Sequence, residues 1–594
     1  MKKTKWIDLS DCGILPNMKE DYTARLNQII DEGSSGVAYR FSPGIYHFFA
    51  SNGIKAPYAL SNSEPIPERT LSLLLKNKNQ ITIDGNGAKF IYHGHLQPIT
   101  LDRCSQITLK NITIDWEKPL VAEGIILSKT ADYLDISIDQ QLFPCFVRNF
   151  CLYFDIGDGA ASELTYGSHT LYDASTLTVS RGCADTIMIK NAEHLGEDRF
   201  RLYLTGTLKK ENPPMPGDVL VLRHNQRYHA GIFAEHSTDL LLEKITVHSC
   251  GGIGMLFQFC ENITCRQLRF LPNRKLGRRI SCTRDDGIQI SNCRGDFLAE
   301  GCSFHGLQDS PMNIHGTSVN LIKSLDETTI ECEFMNRYSC GFHDWAEPGH
   351  TLNFLDRKSM TSLETATVLS YRLLDDTHFV LTLEKPLNIP IRAAKKEIAV
   401  ENLTNSPKVT IRHCHFGSCR SRGLLVTTPR PVVVEDNYFE SAGSAILISG
   451  DASFWYESGA CRDVTIRRNV FTDACNLVPY QYCYAMISIC PIVPKPLKST
   501  PYHGCIRIED NTFSSPDTPI LYAFSIDELI MKNNRIFHSE RVSVPPAEKA
   551  LFHLKNCRRA ILEDNEIIGL FLMEEQKIEN STIVKRKEKK HDAD

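Results

Sequence analysis

Two short stretches place carboxylates where they could act together. TRDDGIQISNCRG (Thr283–Gly295) sets Asp285 and Asp286 directly before an alternating strand pattern, and GLQDSPMNIHG (Gly306–Gly316) sets Asp309 before a similar one. Asp286 and Asp309 are 23 residues apart. Two close carboxylates repel unless one keeps its proton or a cation compensates. One protonated and one ionised group is the pairing that general acid–base hydrolysis needs. The plainer reading is a solvated surface pair, or acids that cap loops.

Other polar and aromatic residues cluster around these motifs. NIHG supplies Asn313 and His315, and GIQIS supplies Gln289, all able to hydrogen-bond hydroxyl groups. GDASFWYESG (Gly450–Gly459) packs Asp451, Phe454, Trp455, Tyr456 and Glu457 into one turn. Three consecutive aromatics cannot all point into a core from a strand. Rings flanked by acids suit a sugar, whose apolar face stacks while its hydroxyls meet carboxylates. GFHDWAEPGH (Gly341–His350) adds Asp344, Trp345 and Glu347, provided that segment leans over the same place. No metal site is expected: His315 has no second His at ligand spacing. The four-spaced pairs Cys260/Cys265 and Cys414/Cys419 lie inside strand-like repeats.

What would position these residues is a repeat. GIFAEHSTDLLLEKITV begins at Gly231, and its pattern returns from Gly254, 23 residues later. It returns again from Gly287 after the basic insertion LPNRKLGRRIS, and a step of 22 separates Gly423 from Ala445. Each unit holds short alternating runs of β-branched residues, then Asn, Asp or Gly. Asn recurs at 111, 262, 437, 469, 511, 534 and 565, as corner residues that tolerate left-handed backbone or stack in ladders. One unit cannot bury its apolar positions alone and must stack on the next. The expected class is all-β, a right-handed parallel β-helix. One coil matches the gap between Asp286 and Asp309, so the acids are expected on adjacent coils, ~4.8 Å apart at the backbone. Strand parity turns Asp285 outward rather than Asp286 unless Gly287 breaks the alternation, and so leaves both open.

The period fails twice. Residues 118–228 and 318–400 read as inserted β-barrel-like modules. The rest divides into a cap with a short helix and first coils (1–117), central coils carrying the acids (229–317), C-terminal coils (401–575) and a charged tail (576–594).

Composition narrows the partners. With a net charge of −5, the chain lacks the basic excess of a phosphate-tracking surface, so no nucleic-acid partner is expected. No apolar run reaches 18 residues, so no membrane span is expected. No leader pattern follows MKKTK, which suggests a cytoplasmic protein, or an exported one if a leader has been removed. The 21 Cys then read as buried thiols. A neutral oligosaccharide is the expected partner, no cofactor is expected, and a homodimer is compatible.

NITIDWEKPLVAEG (Asn111–Gly124), ISCTRDDGIQISNCRG, QDSPMNIHG and GDASFWYESG, in this order, together resemble glycoside hydrolase family 110, bacterial exo-α-1,3-galactosidases that include blood-group B-active enzymes. The resemblance runs from about Tyr46 to Phe537. It implies a parallel β-helix with inserted barrels and metal-free, inverting hydrolysis of terminal α-galactose. By motif, Asp286 matches the family acid before NCRG, and Asp309 the first acid of a family pair before NIHG. The second member of that pair is Ser310 here. If the family base is that second acid, Asp309, Asp285 or Glu347 must take its role. The competing expectations are the same mechanism on another α-sugar such as N-acetylgalactosamine, a polygalacturonase-like hydrolase, and a sugar-binding β-helix without activity. An acidic polymer calls for a row of Lys and Arg, and apart from the loop Arg274–Arg279 the sequence shows none.

Overall fold

A computed structural model describes residues 5–182, 187–206, 208, 213–389, 397–478, 480–541 and 549–584. The chain winds as a parallel β-helix with three sheet faces per coil. One coil comprises Ile232–Glu235 on the first face, Thr238–Glu243 on the second and Thr246–Val247 on the third. The next coil repeats this with Met255–Gln258, Glu261–Arg266 and Arg269–Phe270. Pairing between coils is parallel and in register, with Ile232 beside Met255 and Leu240 beside Ile263.

Alternation explains the faces. On Ile288–Ser291, Ile288 and Ile290 enter the core, while Gln289 and Ser291 face away from it. Six successive coils carry a Phe on the third face, so Phe270, Phe304, Phe416, Phe439, Phe471 and Phe513 stack at centroid spacings of 4.5–5.4 Å. Five of the seven recurrent Asn form a ladder: Asn437, Asn469, Asn511 and Asn534 each donate to the next Asn side chain at 2.8–3.0 Å, ending at Asn565. Asn111 and Asn262 stand elsewhere. Both adopt left-handed backbone, and their amides reach Asp84 and Asp239 instead. Cys260, Cys265, Cys414 and Cys419 are buried thiols, and the described cysteines form no disulfide.

The N-terminal end is closed by a helix, Thr23–Glu32, which buries Leu26 and Ile30. Its Asn27 accepts from the Leu74 N–H and donates to the Ser72 carbonyl, pairing the exposed edge of strand Arg69–Lys76. The coils extend past the expected boundary at 575, since Glu574–Glu579 pairs with Ala550–Lys555. Of the tail, residues 585–594 lie outside the described residues. Among the described residues, no helix is long and apolar enough to cross a membrane.

Both inserts leave the stacking intact. Ile232 pairs with Ile99 across the first, and Phe297 with Val409 across the second. The second is a closed barrel of six antiparallel strands between Val319 and Asn402, two residues beyond the expected limit. The first combines a six-stranded sheet with a separate three-stranded sheet. Its edge strands, Thr170–Tyr172 and Ile189–Gly196, approach each other at one end, where His169 and Ile187 form an antiparallel bridge. The first insert enters at the corner before the first face and the barrel at the corner after it, so the two modules flank that face.

Candidate active site

The corner where each coil turns from the third face into the first builds one wall of a cavity of about 340 Å³. Asp286 and Asp309 both line it, with Asn62, Asn313, Trp455 and Glu457. The coil step differs from the expected one. Ile288 pairs with Met312, a step of 24, so counting back sets Asp286 level with Ser310, not Asp309. The Ser310 N–H lies between the two acids and donates to Asp286 Oδ1 at 2.9 Å and Asp309 Oδ1 at 3.0 Å. Those two oxygens therefore cannot be further apart than the sum of the two distances.

Gly287 makes this corner. A Cβ there would sit 2.7 Å from the Pro311 carbonyl, so only glycine lets the chain turn so close to the next coil. The turn re-aims Asp286 into the cavity and sends Asp285 beneath its wall, where it is fully buried. Asp285 receives Arg223 Nη2 at 2.5 Å, Arg284 Nη1 at 2.8 Å and Arg227 Nε at 3.1 Å. Burial alone would raise its pKa, but these three guanidiniums hold it well below the carboxylate range. Asp285 is therefore a fixed anion that positions three arginines, and it does not line the cavity.

The two cavity acids are driven apart. Asp286 is pushed well above its ordinary value by burial and then by the charge of Asp309, with only partial relief from Arg227. Its Oδ2 has no hydrogen-bond partner among the described residues. Burial also acts on Asp309, but Arg420, Arg422 and Arg227 outweigh it and hold that carboxyl below the usual range. Ser421 Oγ donates to Asp309 Oδ1 at 2.9 Å, and Ser310 Oγ lies 3.1 Å from Ser421 Oγ. Ser310 thus contributes a backbone donor to both acids and a hydroxyl to the network behind Asp309. Two titratable groups whose surroundings separate their pKa values form an acid–base pair.

The remaining expected residues divide. Glu457 accepts from Asn313 Nδ2 at 3.1 Å and Asn62 Nδ2 at 3.2 Å, held by a two-residue strand, Glu457–Ser458, against Met312–Thr317. The Asn313 side-chain oxygen is buried, with no hydrogen-bond partner among the described residues. Trp455 presents its indole, and its carbonyl is tied to Asn336 of the barrel at 3.0 Å. Asp451 is not at the cavity: its carboxylate accepts the N–H groups of Ser453, Phe454, Trp455 and Tyr456, and so shapes the loop that presents Trp455 and Glu457. Tyr456 turns inward, its hydroxyl accepting from Arg357 at 3.0 Å. His315 and Gln289 are buried behind the wall and bonded to each other at 2.8 Å, and the other His315 ring nitrogen donates to the Gly316 carbonyl.

The barrel does not carry Glu347 to the acids. Glu347 lines a separate small pocket with His236, Asp344 and His350, and lies 3.6 Å from His350. Trp345 is buried in the barrel core. Neither residue supports the roles expected of that segment.

The arginines are what sequence reading missed. Arg223, Arg227, Arg284, Arg420 and Arg422 converge on the cavity from three separate segments. The noted loop Arg274–Arg279 is structural instead: Arg278 is buried and pairs both Nη atoms with Asp115. Glu123 pins that loop, accepting from Ile280 N at 2.8 Å and Ser281 N at 2.6 Å. A signal was present in CRSRG (Cys419–Gly423), which occupies in the next coil the same corner as QDSPM. Tyr480, between Arg420 at 5.0 Å and Arg422 at 4.7 Å, had none.

Comparison with known proteins adds to this geometry. No family model matches. Alpha-1,3-galactosidase B of Bacteroides thetaiotaomicron is 39% identical over 95% of this chain and 91% of its own length. Alpha-1,3-galactosidase A of Bacteroides fragilis is 31% identical over 98% of this chain and 95% of its own. Among solved structures, the family 28 exopolygalacturonase of Yersinia enterocolitica is 11% identical, with a TM-score of 0.44 over 98% of this chain and 78% of that one. Near-complete coverage of curated relatives at this identity settles kinship: the chain belongs to the α-1,3-galactosidase family.

Proposed function

We propose that this protein hydrolyses terminal α-1,3-linked galactose from oligosaccharides, with inversion at the anomeric carbon. The activity is the one its curated relatives are named for. The observation that carries the acid–base assignment is the shared Ser310 N–H between one carboxyl whose pKa is raised and one whose pKa is lowered. Inversion rests on the family resemblance instead, because two oxygens that share one N–H stand closer than the ~6.5–9.5 Å usual for an inverting pair. Asp286 acts as general acid: its Oδ2 gives a proton to the glycosidic oxygen as the C–O bond breaks. Asp309 acts as general base: it takes a proton from the water that attacks the opposite face of the anomeric carbon. Both carboxyls end in exchanged protonation states, and solvent restores them. Trp455 stacks on the sugar, while Glu457 accepts its hydroxyls.

Proton NMR of a fresh digest of Gal-α-1,3-Gal tests this directly. β-Galactose as the first product supports inversion. α-Galactose would overturn the mechanism, and no release of galactose would overturn the activity.

A further inference from the structure

A second cavity, a groove of about 350 Å³, adjoins the catalytic one. Pro65, Ile66 and Pro67 of the cap segment line one side of it, and Arg337, His343 and Asp376 of the barrel line the other. Tyr338 lines both cavities. The partition between them is a strap in which cap and barrel are stitched together. The Ser63 N–H donates to the Tyr338 carbonyl at 3.2 Å, and the Asn62 N–H donates to Ser339 Oγ at 3.2 Å. The Tyr338 hydroxyl accepts from Arg337 Nη2 at 2.7 Å.

The cap side of the groove is held in shape by a buried cation. Arg69 is 1% exposed and lies at the groove, where burial lowers its pKa to about 10. Its guanidinium donates to three carbonyls, those of Tyr58 at 2.8 Å, Glu64 at 2.9 Å and Tyr228, rather than to a carboxylate. Burying a charge in this way is costly. Here it ties the loop between Tyr58 and Glu64 to the coil at Tyr228, and the rings of Pro65 and Pro67 restrict the next residues further. A groove shaped in advance binds an extended ligand with less ordering cost. Its surface divides as a sugar does: proline rings, Ile66 and Tyr338 are apolar, while the guanidinium, imidazole and carboxylate offer hydrogen bonds.

The junction at Tyr338 selects the occupant. The catalytic cavity takes one terminal sugar, and the chain attached to that sugar must leave it. Resting on the galactosidase reading above, we propose that the groove binds the neutral sugars that follow the scissile bond: the first crosses Tyr338, and those behind it lie between Ile66 and the barrel. Contacts made there, remote from the reacting bond, raise the rate on long glycans.

The experiment measures kcat/KM for nitrophenyl α-galactoside, Gal-α-1,3-Gal and the pentasaccharide Gal-α-1,3-Gal-β-1,4-GlcNAc-β-1,3-Gal-β-1,4-Glc, in wild type and I66A/H343A. These two residues stand on opposite sides of the groove and outside the catalytic cavity. The pentasaccharide should exceed the disaccharide by about 10-fold or more, the scale on which apolar contacts discriminate substrates. I66A/H343A should erase most of that gain and leave the nitrophenyl glycoside unchanged. Titration calorimetry of the wild-type enzyme with the tetrasaccharide Gal-β-1,4-GlcNAc-β-1,3-Gal-β-1,4-Glc reads the groove without turnover and without a variant. It should bind about 10-fold more tightly than lactose. Galactose released equally well from disaccharide and pentasaccharide, with no preference for the tetrasaccharide over lactose, overturns the proposal and leaves the galactosidase reading standing. A variant that slows all three substrates equally places the chain elsewhere and overturns it as well. Tetrasaccharide binding that is lost in I66A/H343A, without turnover of any galactoside, overturns the hydrolase reading and supports the groove.

Discussion

Replacing Asp286 by Asn separates catalysis from stability in one variant. General acid catalysis contributes roughly 10²–10⁴ in rate, about 2.7–5.4 kcal/mol of barrier. D286N should lose that much on Gal-α-1,3-Gal, whose leaving oxygen is a poor leaving group without a proton. A nitrophenyl leaving group departs as a stable anion, so the same variant should keep most of its rate on the nitrophenyl glycoside. Stability should move the other way. The folded-state pKa of Asp286 is raised, by burial first and by Asp309 second. The folded protein therefore binds a proton that the unfolded chain releases, and stability falls as pH rises from the unfolded value toward the folded one. Asn carries no charge to bury, so D286N should exceed wild type at pH 8 by about 1 kcal/mol, in the range of ordinary stabilising substitutions, and the difference should vanish below pH 4. Paired kinetics on the two substrates, with thermal unfolding at both pH values, make the test. Equal losses on both substrates, or a variant less stable than wild type at pH 8, would refute the assignment of Asp286 as a protonated acid.

Four further outcomes follow from the same geometry. D309N should lose kcat about equally on both substrates, because water must be activated whatever the leaving group. The pH–rate profile should be a wide plateau: activity falls at low pH as Asp309 is protonated, below the ordinary carboxylate range, and at high pH as Asp286 ionises, above it. D285N leaves two buried guanidiniums, Arg223 and Arg284, and the partly exposed Arg227 without their shared anion and should cost about 3–5 kcal/mol by denaturant unfolding. N469A breaks two rungs of the ladder and should cost about 1–3 kcal/mol.

The solenoid was legible because its physics is local and periodic. Alternating Ile, Leu and Val and the corner Asn write their spacing into the sequence. Asn111 misled because a left-handed corner and a ladder rung sit next to each other in the coil: Asp436 takes the left-handed place and Asn437 the rung. Asp286, Asp309, Asn313, Trp455 and Glu457 were legible as members of motifs. Asp451, Tyr456, His315 and Gln289 belong to the same motifs yet stand behind the wall. Motif membership does not say which polar group faces a ligand and which satisfies backbone N–H groups or another side chain. The arginines were illegible for a different reason. They belong to segments separated by a whole inserted module, and only closure of the coils brings Arg223 and Arg420 to one carboxylate network.

The one-residue difference between the expected and observed coil step changes what the acids can do. A step of 23 would set Asp286 and Asp309 level in one column, in equivalent surroundings, and nothing would favour protonating one over the other. The step of 24 sets Ser310 level with Asp286 and leaves Asp309 one residue earlier in the turn, within reach of Arg420 and Arg422 from the following coil. Asp286 keeps only a share of Arg227 and one backbone N–H. The asymmetry that separates an acid from a base thus arises from backbone register, with Ser310 supplying the amide on which both depend.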